Sequence, residues 1–248
     1  MALVFIFQNI AANLGGMLTP FGNPQNLYLY SHFGIPDGEV VRSMPPPFLL
    51  AITLITLCGF LIPKDPLQIR GERVALPKGR TAVYMALFAL AIIIVFRGIP
   101  YWIGLIIIPL VLLFMDRQAL KDVDYGLLCT FVLFFIFSGN LARIPAVQDF
   151  FGGLLELNTL LVSVISCQCI SNVPTAILLS QFTQNYADLL VGVNIGGVGT
   201  LIASLASLIT FREYAKHNQG RMLRYVLVFT LINFLFLIVL CAFQLIFF

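Results

Sequence analysis

Residues 13–27 read NLGGMLTPFGNPQNL and overlap the end of an apolar run. Adjacent glycines and a Thr-Pro pair interrupt a helix, because glycine costs backbone entropy and proline lacks the N–H group that a helix interior needs. The run before them covers residues 1–18, close to the length of a membrane-crossing helix. The stretch therefore predicts a helix that stops after the apolar run and restarts beyond it.

The composition places most of the chain in lipid. Of its 248 residues, 60% are hydrophobic and 10% are charged, and the net charge is +3. A soluble domain has about 25% charged residues. The mean hydropathy of +0.98 agrees. These values exclude a soluble globular enzyme, a disordered chain and a nucleic-acid binder, and they make the lipid bilayer the first expected partner.

Apolar runs recur along the chain at about 1–18, 46–63, 81–96, 100–115, 125–142, 157–181, 186–209 and 225–247. Several approach the roughly 20 residues with which a helix crosses a bilayer. Apart from Asp188 near the start of the seventh run, the runs contain no Asp, Glu, Lys or Arg. Because proton relays and ion paths usually depend on such residues, a carboxylate-based pump is not favoured. The sequence predicts an all-α integral membrane protein.

The basic residues predict the orientation. If residues 157–181 enter and leave on one side, a single face carries eleven of the 14 Lys and Arg residues: Lys64, Arg70, Arg73, Lys78, Arg80, Arg117, Lys121, Arg212, Lys216, Arg221 and Arg224. If that run crosses completely, the two faces carry equal numbers. Cytoplasmic loops are enriched in Lys and Arg. The charges therefore favour a re-entrant hairpin entered from outside, with the basic loops in the cytoplasm of a plasma-membrane protein.

A second stretch resembles the first at an offset of 181 residues. The offset pairs Asn13 with Asn194, Gly15 with Gly196, Gly16 with Gly197 and Thr19 with Thr200. In the orientation given above, the two stretches run in opposite directions. Similar segments of opposite direction indicate an inverted repeat, a common plan among transporters.

Interrupted helices at membrane depth expose backbone groups, which are tolerated only where they are buried in protein or line a wet cavity. Freed carbonyl groups bind cations, and the start of a helix attracts anions. Polar side chains near the interruptions would complete such sites: Asn13, Thr19, Asn23, Asn172, Thr175, Asn194, Thr200 and Ser204. For residues 196–207 plain helix packing is an equally good interpretation, because small residues are common at contacts between membrane helices.

Three motifs carry a family resemblance. Residues 13–27 resemble the signature that follows the inward hairpin in the ion transporter superfamily, which includes citrate-transporter-like proteins, divalent anion:sodium symporters and arsenite permeases. Ser171-Asn172-Val173 resembles the family's Ser-Asn-Thr hairpin tip, with Val173 in place of Thr. Residues 192–208 look more like the arsenite-permease form of the second copy, with Leu201 where the first copy has Pro20.

The resemblance implies a fold of two inverted repeats, each with a re-entrant hairpin and a broken helix. It implies substrate contacts from Asn172, Thr175, Asn23 and Ser204. It implies Na⁺ contacts from Thr19, Gly22, Asn23, Ser171, Asn172, Gly199 and Thr200, with Ser204 beside the second ion site. Beyond Na⁺ as coupling ion, no cofactor or metal is expected.

On this plan, residues 1–63 are the C-terminal part of the first repeat and residues 64–80 a basic cytoplasmic linker. Residues 81–248 are the second repeat, with three spans, a hairpin at about 157–181, a broken helix at about 186–209 and a final span. The fold is then N-terminally incomplete, because the first repeat's own hairpin is not in the sequence. Expected protein partners are an N-terminal half and, from the symporter relatives, a second copy in a homodimer.

The predicted function is secondary active transport of a small anion such as citrate or a dicarboxylate, coupled to Na⁺ or H⁺, by alternating access. An arsenite or inorganic-anion permease and an Na⁺/H⁺ antiporter of the same superfamily are alternatives. An alternative of another class is a non-transporting membrane subunit, or a degenerate fragment that needs a partner chain. An enzyme is not favoured, because no cluster of His, Asp and Glu lies at membrane depth.

Overall fold

The structure is a computed structural model that describes residues 2–60, 62, 77–218, 220 and 222–248. This part of the chain forms helices and no strands, which confirms the predicted all-α class. The helices are α1 (Ala2–Gly15), α2 (Pro24–His32), α3 (Asp37–Ser43), α4 (Pro45–Gly59), α5 (Lys78–Val95), α6 (Tyr101–Met115), α7 (Arg117–Lys121), α8 (Tyr125–Leu141), α9 (Pro145–Ile170), α10 (Asn172–Leu179), α11 (Tyr186–Gly196), α12 (Leu205–His217) and α13 (Met222–Phe247). A 3₁₀ turn, Gly16–Leu18, follows α1.

Within the described residues, α5, α9 and α13 are long and apolar enough to cross a membrane by themselves. The pair α3 and α4, bent by 43°, reaches that length together. Shorter apolar helices are Ala2–Leu18, Tyr101–Met115, Tyr125–Leu141 and Tyr186–Gly196. The basic linker predicted at 64–80 lies mostly outside the described residues, and its last three residues already belong to α5.

The chain divides into two compact units. One unit, residues 64–130, contains α5, α6, α7 and the start of α8, and α6 packs on α5 and α7. Asp116 caps α7 by accepting a hydrogen bond from the Ala119 amide, and it accepts another from the Tyr84 hydroxyl. These two bonds, the Tyr84 bond first, hold the pKa of the Asp116 carboxyl below its ordinary value.

The other unit, residues 1–63 and 131–248, is built around α11, which packs on α9, α10, α2, α13 and α1. Every residue of α11 from Leu189 to Gly196 is buried. A Cβ atom on Gly192 would lie 2.7 Å from the Ser163 side chain, and one on Gly196 would lie 2.8 Å from the Cys167 sulfur. Glycine at both positions therefore lets α11 approach α9 closely, as membrane helices often do.

The chain reverses direction between α9 and α10. The rings of Phe151 near the start of α9 and Phe182 just after α10 stack with centroids 5.1 Å apart. The two ends of the hairpin around the tip at Ser171 therefore lie side by side, as expected of a segment that enters and leaves on one side. The predicted start of the hairpin at 157 lies beside the bend in α9 at Asn158, which has non-helical φ and ψ of −167° and 100°. A separate helical segment from Pro145 precedes this bend.

Candidate functional site

The first break follows α1. The backbone is helical up to Gly15, forms the 3₁₀ turn, and is extended at Asn23, where φ and ψ are −139° and 149°, before α2 restarts at Pro24. A Cβ atom on Gly22 would lie 2.1 Å from the Gly16 carbonyl oxygen. A Cβ atom on Gly16 would lie 2.2 Å from Asn23 Oδ1. Both glycines are thus required by close approach within the break.

The second break follows α11, which ends at Gly196. The chain then runs without helix to Ser204, whose hydroxyl accepts a hydrogen bond from the Ser207 amide and caps α12. Gly199 has a φ of +137°, a conformation that other residues rarely adopt. The helix is therefore interrupted between Gly196 and Leu205, and its second half continues to His217, beyond the range 186–209 of the prediction.

The two breaks have the same limits at the offset of 181. The first halves end at Gly15 and Gly196, and the second halves follow directly on Asn23 and Ser204, of which only Ser204 makes a side-chain capping bond. Moreover, α1 packs on α12 and α11 packs on α2, so each first half contacts the second half of the other broken helix. Such pairing is typical of two segments that run in opposite directions.

The hairpin tip contacts the second break. Ser171 has φ and ψ of 75° and 156°, a region almost restricted to glycine. The backbone N–H of Asn172 donates to the Ala203 carbonyl at 2.9 Å, and the Ser171 hydroxyl donates to the same oxygen at 3.4 Å. These two bonds attach the strained tip to the residue immediately before the cap of α12.

Gln168, one turn before the tip, spans the second break. Its Nε2 atom donates to the carbonyls of Gly196 and Val198, and its Oε1 atom accepts from the Thr200 amide. The Thr200 hydroxyl donates in turn to the Gln168 carbonyl at 3.2 Å. A Cβ atom on Gly199 would lie 2.1 Å from Gln168 Oε1. Glycine at 199 therefore leaves the space that this amide fills.

Amide side chains join the two breaks. Asn194, the last amide before the second break, accepts hydrogen bonds from Asn23 and Gln25 and donates to Asn26 at 2.6 Å. Asn23 also donates to the Asn13 carbonyl at 2.9 Å. All of these donors and acceptors are uncharged, so no ion pair among them has to be broken when a charged ligand binds.

Gly197 marks the point where the hairpin meets both breaks. A Cβ atom on this residue would lie 2.8 Å from Asn172 Nδ2 and 3.4 Å from Asn13 Oδ1. Asn172 comes from the hairpin tip and Asn13 from α1, so three separate segments share one small space. The atoms that line this space are side-chain amides and backbone carbonyl groups.

The predicted site residues fall into three sets. One set surrounds the first break: Thr19, Gly22 and Asn23. A second set surrounds the tip and the second break: Ser171, Asn172, Gly199, Thr200 and Ser204. Asn23 connects the two through Asn194. Thr175 lies apart, in the interior of the hairpin beside the Cys167 thiol, and its fully buried hydroxyl has no hydrogen bond of normal geometry.

Sequence reasoning missed several amides of this site. It assigned no role to Gln168, Gln25 or Asn26, and it did not link Asn9 to Asn233, whose side chains bond at 3.3 Å between α1 and α13. A usable signal was available, because an amide inside an apolar helix is costly unless it finds a partner. The identity of that partner was not readable, since Asn9 and Asn233 are 224 residues apart.

Comparison with known proteins identifies the family. The model of the citrate transporter family matches residues 2–190, which include the first break, the hairpin and the first five residues of α11. The chain belongs to the citrate transporter family. The match ends before the second break, so the family assignment rests on the first break and the hairpin.

Two relatives support the membership in the citrate transporter family. The chain is 34% identical over 245 residues to the uncharacterized transporter MJ0456 of Methanocaldococcus jannaschii, covering 98% of this chain and 67% of that protein. It is 31% identical over 217 residues to the inner membrane protein YbiR of Escherichia coli, covering 84% of this chain and 58% of that protein. The chain thus spans about two thirds of the first relative and less of the second. No solved structure matches the chain.

Membership in the citrate transporter family confirms that the protein is a membrane-embedded transporter and not an enzyme. It also confirms the resemblance that the motifs indicated. The substrate, the coupling ion and the individual site residues stay predictions.

Proposed function

We propose that the protein is a secondary active transporter of a small anion such as citrate or a dicarboxylate, driven by an Na⁺ or H⁺ gradient. The observation that carries the proposal is the position of three helix starts. The helices α2, α10 and α12 begin at the two breaks and at the hairpin tip. These segments are joined by the bonds of Asn23, Asn172 and Asn194 described above.

Helix starts carry partial positive charge and backbone N–H groups without an intrahelical acceptor. The first turns of α2, α10 and α12 contain no acidic residue that would neutralise this charge. An anion can therefore be attracted without a basic side chain. At α10 this attraction comes from the helix-start charge, because the N–H groups of Asn172 and Val173 are already hydrogen-bonded. Asn172 Nδ2 beside Gly197 supplies a side-chain donor. Ser204 caps α12, and Asn23 lies directly before α2.

Cation coupling is supported by the carbonyl groups that the breaks release. We propose Thr19, Gly22 and Asn23 as contacts of one Na⁺, and Ser171, Asn172, Gly199 and Thr200 as contacts of a second. Substrate contacts would come from Asn172, Asn23 and Ser204. Thr175 would contribute to the substrate site indirectly, because it lies in the first turn of α10, directly after the hairpin tip.

Alternating access would follow from an inverted repeat, in which residues 1–63 and 81–248 supply the two opposed broken helices. The equal limits of the breaks and the pairing of α1 with α12 and α11 with α2 support this division. We further propose a plasma-membrane location with the basic loops in the cytoplasm.

The proposal is tested by reconstituting the purified protein and measuring uptake of labelled citrate, succinate and arsenite. Each substrate is offered with an inward Na⁺ gradient, with an inward H⁺ gradient and with neither. Gradient-dependent uptake of a carboxylate supports the proposal and identifies the ion. Uptake of arsenite alone, or of nothing by folded protein, contradicts the carboxylate assignment.

The site is tested by Asn172→Ala and Thr200→Ala in the same assay. Each should reduce uptake at least about tenfold, because a lost bond to a charged ligand is worth roughly 1.5–3 kcal/mol. The matched control is Asn140→Ala, an exposed amide near the end of α8. Wild-type uptake by both site variants would overturn the assignment.

A further inference from the structure

A line of buried amides runs from α13 to the space beside Gly197. Asn233 Nδ2 donates to the Phe229 carbonyl at 2.8 Å, and Asn233 Oδ1 accepts from Asn9 Nδ2 at 3.3 Å. Asn13 Nδ2 donates to the Asn9 carbonyl at 3.2 Å and to Asn9 Oδ1 at 3.3 Å. The three asparagines are at most 6% exposed. All three amides donate in one direction, so the last atom of the line is Asn13 Oδ1.

The line fixes which end of the Asn13 amide faces this space. If the amide were flipped, its oxygen would lie against the two oxygens of Asn9, and both bonds would be lost. The Asn9 amide cannot turn to compensate, because Asn233 is anchored by its nitrogen and presents an oxygen to it. Hydrogen bonding therefore leaves Asn13 Oδ1 beside Gly197, 3.4 Å from the position of an added Cβ atom.

Comparison with Asn194, the offset partner of Asn13, shows what the Asn13 oxygen lacks. Both side chains donate to the carbonyl four residues earlier, so the two amides are held alike at their nitrogen ends. Their oxygen ends differ. Asn194 Oδ1 accepts from Asn23 and Gln25, which follow the first break, and its capacity as an acceptor is filled.

The second break does not supply the corresponding donors. The positions 181 residues after the two donors are Ser204 and Ala206. Ala206 has no side-chain donor, and the Ser204 hydroxyl is hydrogen-bonded to the Ser207 hydroxyl at 2.9 Å. Within the part of the chain that the structure describes, no donor bonds Asn13 Oδ1. This oxygen is therefore a buried acceptor that only a ligand or water can satisfy.

The hairpin tip presents a donor to the same space. Asn172 Oδ1 accepts from the Val173 backbone N–H at 2.9 Å, and Asn172 Nδ2 lies 2.8 Å from the added Cβ position on Gly197. Asn172 is 4% exposed, and no acceptor among the described residues bonds its nitrogen. A donor and an acceptor from two different segments, each with an open hydrogen-bonding position, thus face one point.

This pair of atoms favours a ligand that both accepts and donates. A bare carboxylate only accepts, so it would leave the Asn13 oxygen without a partner. An α-hydroxycarboxylate has both groups on adjacent carbons: a carboxylate oxygen can accept from Asn172 Nδ2 while the hydroxyl donates to Asn13 Oδ1. We infer that Asn13 is a specificity-determining residue that favours hydroxylated carboxylates over analogues without the hydroxyl, and that Asn9 is its positioning residue. The inference rests on the proposed transport of a carboxylate.

Substrate pairs that differ by one hydroxyl test the inference in the unaltered protein. Malate is compared with succinate, and citrate with tricarballylate, by uptake into proteoliposomes. The hydroxylated member should have a kcat/KM higher by roughly 5- to 150-fold, because its analogue leaves a buried acceptor unsatisfied. Equal kcat/KM within both pairs would overturn the inference and leave the proposed function intact. Uptake of no carboxylate by folded protein would overturn both.

The malate-to-succinate ratio of kcat/KM then locates the selection in Asn13. Asn13→Leu removes the acceptor at similar volume, so the ratio should fall towards one, mainly through slower malate uptake. Asn9→Leu removes one of the two bonds that hold the Asn13 nitrogen, and it should lower the ratio by a smaller factor. The matched control is Gln8→Leu, an exposed amide on the same helix, which should keep the wild-type ratio. A loss of folded protein reduces both uptakes equally and does not move the ratio.

An amide oxygen can also bind a cation, and the dependence on the coupling ion separates that role. In Asn13→Leu, the ion concentration for half-maximal malate uptake should match that of Gln8→Leu. If this concentration rises while the malate-to-succinate ratio stays at the wild-type value, Asn13 serves the ion and the inference is wrong. An equal loss of malate and succinate uptake would likewise overturn it. The substrate pairs in the unaltered protein decide the matter if Asn13→Leu does not fold.

Discussion

Gly22→Ala is the substitution to which the first break should be most sensitive. The added Cβ atom would lie 2.1 Å from the Gly16 carbonyl oxygen and 2.8 Å from the Gly16 Cα and carbonyl carbon. All three atoms are backbone, so no side chain can move aside. We expect a cost near the upper end of overpacking, about 3 kcal/mol, because the break has to open to admit the methyl group.

Gly15→Ala is the matched control, seven residues away in the same segment. Gly15 has helical φ and ψ of −63° and −36°, and an added Cβ atom meets nothing within 4 Å. Alanine here should stabilise α1 by up to about 1 kcal/mol. The two variants should therefore unfold roughly 10 °C apart in detergent, with Gly22→Ala the lower. Uptake per folded molecule should fall only in Gly22→Ala. Equal unfolding midpoints and equal uptake in the two variants would refute the close approach of Gly22 to Gly16 in the first break.

Three further substitutions test other parts of the account. Ser171→Gly should raise the unfolding midpoint, because it relieves a backbone conformation that costs about 1–3 kcal/mol in a non-glycine residue; a lower midpoint would argue against the strained tip. Thr175→Val should leave the midpoint unchanged or higher, since the hydroxyl it removes is buried without a normal hydrogen bond. If Thr175 also serves the substrate, the apparent KM should rise, and an unchanged KM would remove it from the site. Asn233→Leu should cost about 1–3 kcal/mol in thermal unfolding, because it removes the acceptor of the buried Asn9 amide, and an unchanged midpoint would argue against the Asn9–Asn233 bond.

The positions of both breaks were predictable because their cause is local. Adjacent glycines at 15–16 and 196–197 and the proline at 20 act on the backbone directly, whatever surrounds them. The 181-residue offset predicted an inverted repeat, and in the structure the first halves end, and the second halves restart, at positions 181 residues apart. The hairpin at 157–181 was also predicted, through the membrane side on which the basic loops must lie.

The amide contacts were not predictable, because they depend on which helices become neighbours. Gln168 lies in an apolar run between two cysteines, and nothing local indicates that it reaches Gly196, Val198 and Thr200.

The central claim is that both breaks surround one anion-binding space. It is tested most directly by hydrogen exchange of the purified protein with and without citrate, or with whichever anion the uptake assay identifies. The account predicts that the anion slows exchange in residues 16–26 and in residues 197–207 together, while α5 and α6 are unaffected. Protection of one break alone, or of neither break in protein that transports the anion, would contradict it.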